Sequence, residues 1–160
     1  MSSKNPFWDF SIALYEQPGV AASCIEAQDG WGADVNMLLF LAWRSQSGIP
    51  LQFEAIASLD AEISSWRSQV VTPIRELRRQ LKAVPGTEAS RTLIQQAELA
   101  AERAQQDMMY SHTAASGLIN NEQGLRAHLD LYAQFLNLPN DAFDDVYCVV
   151  AASLERLATS

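Results

Sequence analysis

Arg67, Arg75, Arg78, Arg79 and Lys82 place five of the chain's 11 basic residues within sixteen positions. Cations at that density recognise carboxylates or phosphates, and arginine does so through a planar fork of donors. On a helix, Arg67, Arg75, Arg78 and Lys82 share one side, whereas Arg79 points elsewhere. Two readings follow. The first is a solvated face whose charges pair with Glu98 and Glu102 on a neighbouring helix. The second is a recognition stripe for an acidic protein partner, with an RNA phosphate track as the runner-up. Protein is the favoured partner, because the surrounding charge is acidic and Trp66 is the only aromatic residue interleaved with the stripe.

A second group is polar within apolar surroundings. Gln28, Asp34 and Asn36 flank or enter the most hydrophobic stretch of the chain, and burying such groups is costly unless they are hydrogen-bonded. Asp34 as a helix cap, with Gln28 and Asn36 tying the Gly30–Gly32 loop to backbone, accounts for them structurally. The alternative is a ligand-binding or enzymatic pocket of Gln28, Asp34, Asn36 and Trp43, with Trp31 and Tyr15 nearby. Signals for catalysis are weak. His112 and His128 stand sixteen apart with no metal-binding spacing, Ser23–Cys24 has no local base, and the glycines at 30 and 32 do not form a phosphate loop. No metal or cofactor is expected, and an enzymatic role is disfavoured.

These residues sit in a chain of 160 residues with 48% hydrophobic and 19% charged composition, which is ordinary for a globular domain. Its net charge of -8 excludes general nucleic-acid or anionic-membrane binding. That charge is unevenly spread. Residues 1–62 carry 2 basic and 8 acidic groups, residues 63–103 carry 7 and 4, and residues 104–160 carry 2 and 7. The middle is a basic island. The N-terminal residues show no secretory signal, and the longest apolar run, Met37 to Trp43, is far short of the roughly 20 residues a membrane span needs. A cytoplasmic location is expected, with Cys24 and Cys148 as reduced, mostly buried thiols.

Apolar residues recur at spacings of three and four, and no segment alternates as a strand would. The sequence therefore predicts an all-α, single-domain helical bundle of six or seven helices over 1–160. Asn5–Pro6 starts a first helix ending near Gln17, Pro18–Gly19 breaks it, and a short second helix ends near Asp29–Gly30. Ala33 to Ser47 reads as a helix apolar nearly all round. Ile56, Leu59, Ile63, Trp66, Val70, Ile74, Leu77, Leu81 and Val84 then form a nearly unbroken heptad seam on one long helix, about 54–84, kinked near Val70 to Thr72 by Pro73. Pro85–Gly86 turns the chain into a partner helix, about 88–110, with a seam of Leu93, Ala97, Ala100, Ala104 and Met108. The two pair as an antiparallel hairpin. Residues 111–123 lack a period and read as a flexible loop, followed by closing helices at 124–136 and 142–157, the last capped by Asn140 or Asp141.

Trp8-x-Phe10, Tyr15-x-x-Pro18-Gly19-Val20, Cys24, Gln28, Gly32-Ala33-Asp34-Val35-Asn36, Leu38-Leu39-Phe40 and Trp43 together resemble a bacterial family catalogued as domain of unknown function 2390. The resemblance continues through Trp66-Arg67, Val70-Val71-x-Pro73, Arg75, Leu77-Arg78-Arg79-x-Leu81-Lys82 and Glu98-Leu99-x-x-Glu102-Arg103. It implies a small helical bacterial protein and brings no catalytic residue with it. The leading functional expectation is a non-enzymatic interaction or adaptor protein that uses the basic face of the hairpin.

Overall fold

The computed structural model describes residues 4–46, 51–114 and 124–160, and every regular element among them is helical. The order is α1 (Pro6–Tyr15), α2 (Val20–Trp31), α3 (Val35–Gln46), α4 (Phe53–Trp66), a π-helical turn (Arg67–Val71), α5 (Thr72–Lys82), α6 (Glu88–Ala114), α7 (Leu125–Phe135) and α8 (Asp144–Ala158). With α4, the π turn and α5 counted as one continuous helix, the described residues form seven helices in an all-α fold. Two compact units partition the chain: Met1–Ala57 with Ser116–Ser160, and Ser58–Ala115.

The first unit forms around α3. Asn36 through Ala42 are all buried, as an all-round apolar helix requires. Asn5 caps α1 by accepting the Phe7 and Trp8 amides at 3.0 and 3.2 Å. That cap fixes Phe7 edge-on to Phe40 and stacked on Trp43, with centroids 5.4 and 5.3 Å apart. Gly19, at φ +82, makes the turn that Pro18 begins, and a Cβ there would meet Val149 at 3.3 Å. The last helix starts later than its predicted cap: Pro139 to Phe143 form turns, and α8 begins at Asp144. Asp144 and Asp145 fill its first turn, where carboxylates suit the helix dipole. Cys24 is buried, with its thiol pushed up to about 12 by desolvation, whereas Cys148 is exposed, contrary to the expectation that both are covered.

The second unit is the hairpin. Pro73 has no N–H to offer the carbonyl four residues back, and the chain adapts upstream of it with a π turn in which the Thr72 amide reaches the Arg67 carbonyl. The predicted kink thus takes the form of a widened turn, and its extra residue shifts the seam: Val71 rather than Val70 is buried, Ile74 and Leu81 are half-buried, and the predicted seam residues Leu77 and Val84 are exposed. Gly86, at φ +78, reverses the chain, and the Thr87 hydroxyl ties the turn by donating to the carbonyls of Leu81 and Val84. The pairing is antiparallel: His112 Nε2 meets Ser58 Oγ at 3.2 Å, Trp66 Nε1 donates to the Ala101 carbonyl at 2.9 Å, and Arg75 reaches Glu98. Residues 111–114, placed in a loop by the sequence reading, form the last turn of α6; residues 115–123 lie outside the described residues.

One correction concerns the α6 seam. The inward stripe is Ile94, Glu98, Ala101, Gln105 and Met109, of which all but the half-buried Ile94 are buried, whereas Leu93 is 65% exposed and Ala97 and Ala100 are exposed. The predicted seam is rotated by one residue, about 100° around the helix axis.

Candidate functional site

The hairpin draws Arg75 and Arg78 of the basic stripe into one ion-pair network. Glu98 is central: its side chain is 9% exposed, it accepts from Arg75 Nε at 3.2 Å, and it takes both Nε and Nη2 of Arg78. Arg75 also donates Nη2 to Glu102 at 3.0 Å. Arg75 therefore bridges two carboxylates one turn apart on α6, while Arg78 grips Glu98 with two donors, an arrangement that fixes side chains as well as neutralising them. Arg67 pairs separately with Asp60 at 2.8 Å. Pairing with Glu98 and Glu102, one of the two sequence readings, is thus present for Arg75 and Arg78. Arg79 and Lys82 are exposed at the surface of α5, and Arg79, one turn on from Arg75, shares its side of the helix, contrary to the expectation that it points elsewhere.

The network substitutes for an apolar core. No residue of α5 is buried, and its seam residues Ile74 and Leu81 are half-buried. Exposed large apolar residues on this unit are Leu77, Val84, Leu93 and Leu99.

The polar set of the first unit is occupied differently. Asp34 Oδ1 accepts the Met37 amide at 3.2 Å, which caps α3, and its own amide donates to the Tyr132 hydroxyl at 2.9 Å. Asn36 is buried and Trp43, two turns further along α3, is half-buried against Phe7 and Phe40. The Gln28 carbonyl accepts the Gly32 amide at 3.1 Å, closing α2 with Gly32 at φ +71. The structure therefore uses Asp34 as a cap and Trp43 as core, and half-buries the Gln28 residue at the end of α2.

Sequence reasoning passed over a buried pair of bases on α3 and α7. His128 is fully buried, its Nδ1 donates to the Leu41 carbonyl at 3.2 Å, and its Nε2 has no hydrogen-bond partner. Arg44 is 8% exposed, with its guanidinium 5.9 Å from the Trp43 ring centroid. A signal existed: Leu125, His128, Leu129 and Tyr132 follow the period of an apolar helix face. Desolvation, and then the charge of Arg44, hold the His128 pKa below the ordinary histidine range against the opposing Leu41 hydrogen bond. An unfolded histidine protonates near pH 6.5, so below that pH the unfolded chain binds a proton that the folded chain does not. Stability is then lost as pH falls through that window. The urea midpoint at pH 5.5 should lie below that at pH 7.5, and the gap should narrow in His128→Gln; an unchanged gap would show that His128 does not carry it.

Among the described residues, no group of three or more His, Cys, Asp or Glu is placed to hold a metal ion. No described helix is long and apolar enough to cross a membrane. A family model described as "Protein of unknown function (DUF2390)" matches residues 6–109, spanning α1 through most of α6. Neither the curated proteins nor the solved structures contain a match.

Proposed function

The chain belongs to the DUF2390 family, and from that premise we propose that it is a bacterial, cytoplasmic protein–protein interaction module without enzymatic activity. It docks an acidic segment of another protein on the basic face of the hairpin, formed by Arg67, Arg75, Arg78, Arg79 and Lys82. The observation that supports this reading is that α5 buries none of its residues, yet Arg75 and Arg78 clamp it to α6 through Glu98 and Glu102. A helix that contributes only half-buried side chains to packing but is held in register is suited to display. Arg79 and Lys82, exposed on the held helix, supply the charge that an incoming carboxylate meets, while Arg75 and Arg78 set the frame.

The test therefore leaves the frame intact. Arg79→Glu with Lys82→Glu should abolish binding of a labelled oligoglutamate peptide and recovery of the native partner, while helical circular dichroism is unchanged. Undiminished binding would overturn the proposal, and recovery that disappears on ribonuclease treatment would favour RNA. The small-ligand or enzyme reading around Gln28, Asp34, Asn36 and Trp43 has weaker support, because the Asp34 carboxylate is engaged in capping α3 and Trp43 is packed on Phe7.

A further inference from the structure

The basic face already holds a ligand, supplied by the chain itself. Arg75 spans Glu98 and Glu102, donating Nε to the first at 3.2 Å and Nη2 to the second at 3.0 Å. Arg78 gives both Nε and Nη2 to Glu98. The two carboxylates stand four residues apart on α6, hence one turn apart on one side of the helix. Two guanidinium forks, whose paired donors fix geometry as well as charge, are thus satisfied by a helix that carries glutamates at i and i+4. Arg79 and Lys82 continue the side of α5 on which Arg75 lies and are exposed.

This is also the part of the hairpin least held by apolar packing. Below the π turn, Leu59 and Ile63 of α4 are buried, as are Ala101, Gln105 and Met109 of α6. Above it, α5 has no buried residue, and Glu98 alone is buried among the described residues 88–100. The change falls where the π turn interrupts regular helical bonding and Trp66 Nε1 ties the chain to the Ala101 carbonyl. Parting α5 from α6 above that point therefore breaks ion pairs more than it exposes apolar surface, and an incoming pair of carboxylates can replace what is broken.

We propose that Glu98 and Glu102 are an internal substitute for the partner: they mask Arg75 and Arg78, and the partner that displaces them is an acidic helix with carboxylates one turn apart. The inference rests on the reading of the basic face as a docking surface and adds the partner's shape and the chain's own restraint on binding. The partner first meets the exposed charge of Arg79 and Lys82. Glu102, at 29% side-chain exposure, yields before Glu98, at 9%. Apparent affinity falls by the fraction of molecules in which the arginines are released, so the internal pair sets a threshold that an isolated carboxylate does not pass.

Two labelled helical peptides of equal length and charge test this by titration of the full chain, one with glutamates at i and i+4, the other with its glutamates spread so that none lie a turn apart. Wild type should prefer the first. Glu102→Gln should bind it about fivefold more tightly, the worth of one part-exposed ion pair, with helical circular dichroism unchanged because Glu98 still holds α5. Glu76→Gln and Glu88→Gln remove the same charge from exposed positions outside the network and should gain less than about twofold, since solvent screens them. Equal affinity for the two peptides, or a Glu102→Gln gain no larger than those two controls, overturns the proposal. The docking reading survives either result if Arg79→Glu with Lys82→Glu still abolishes binding. Binding of neither peptide to wild type or Glu102→Gln overturns both.

Discussion

Glu98→Ala should loosen the hairpin by about 2 kcal/mol, read as faster amide exchange in α5 and in the facing part of α6 and as a lower urea midpoint. The figure lies between two limits. Exposed ion pairs are worth about 0–1 kcal/mol, whereas removing one partner of a buried pair costs about 3–5 kcal/mol, because the other charge stays buried and unpaired. Glu98 is nearly buried, at 9% side-chain exposure, while Arg75 and Arg78 are 18% and 29% exposed, so the arginines regain part of their hydration when the carboxylate is lost. Arg75 also keeps Glu102. The effect concentrates here because no residue of α5 is buried and little apolar burial can offset the loss. Replacing Arg75, Arg78 and Glu98 together by Met should recover most of the stability, since the nearly buried carboxylate goes together with both its arginines and only Glu102, 29% exposed, loses Arg75. Equal exchange rates in wild type and Glu98→Ala would show that the arms are held by something other than this network.

That network also explains where the sequence could and could not be read. The seam was legible on α4, where Ile56, Leu59 and Ile63 are buried, and only in part beyond the π turn, where Ile74 and Leu81 are half-buried but Leu77 and Val84 are exposed. On α6 the rule inverts. Glu98 and Gln105 point inward, the first because two arginines meet it, while Leu93, Ala97 and Ala100 point outward. Hydrophobic periodicity counts carboxylates as solvent-facing, so it placed the seam one residue away, although the sequence did name Glu98 and Glu102 as the partners of the basic stripe. Leu93, Ala97 and Ala100 of the misplaced stripe are exposed, and apolar periodicity alone does not distinguish a core face from an exposed one. Asp34 and Asn5 were legible as caps because capping depends on residue type and short spacing. The buried contact between His128 and Leu41 joins residues 87 apart, a separation at which local pattern gives no partner.

The largest single-residue loss should follow Phe7→Ala. Phe7 is fully buried and meets both Phe40 and Trp43, so truncation removes the transfer energy of a phenyl ring, two aromatic contacts, and whatever packing the resulting cavity cannot recover by collapse. Such changes cost about 3–5 kcal/mol, a large part of the roughly 5–15 kcal/mol that holds an ordinary domain folded. Collapse is restricted on both sides of the cavity. Asn5 pins the start of α1 by accepting two amides, and α3 is buried from Asn36 to Ala42, so neither helix can move inward without breaking other contacts. Phe7→Leu retains most of the volume and should cost about half as much. Amides of α1 and α3 should exchange faster in Phe7→Ala, and the urea midpoint should fall in the order wild type, Leu, Ala. A loss below about 1 kcal/mol for Phe7→Ala would mean that α1 is dispensable to the α3 core, and the aromatic cluster would then no longer explain why Trp43, one of the candidate ligand residues, is half-buried.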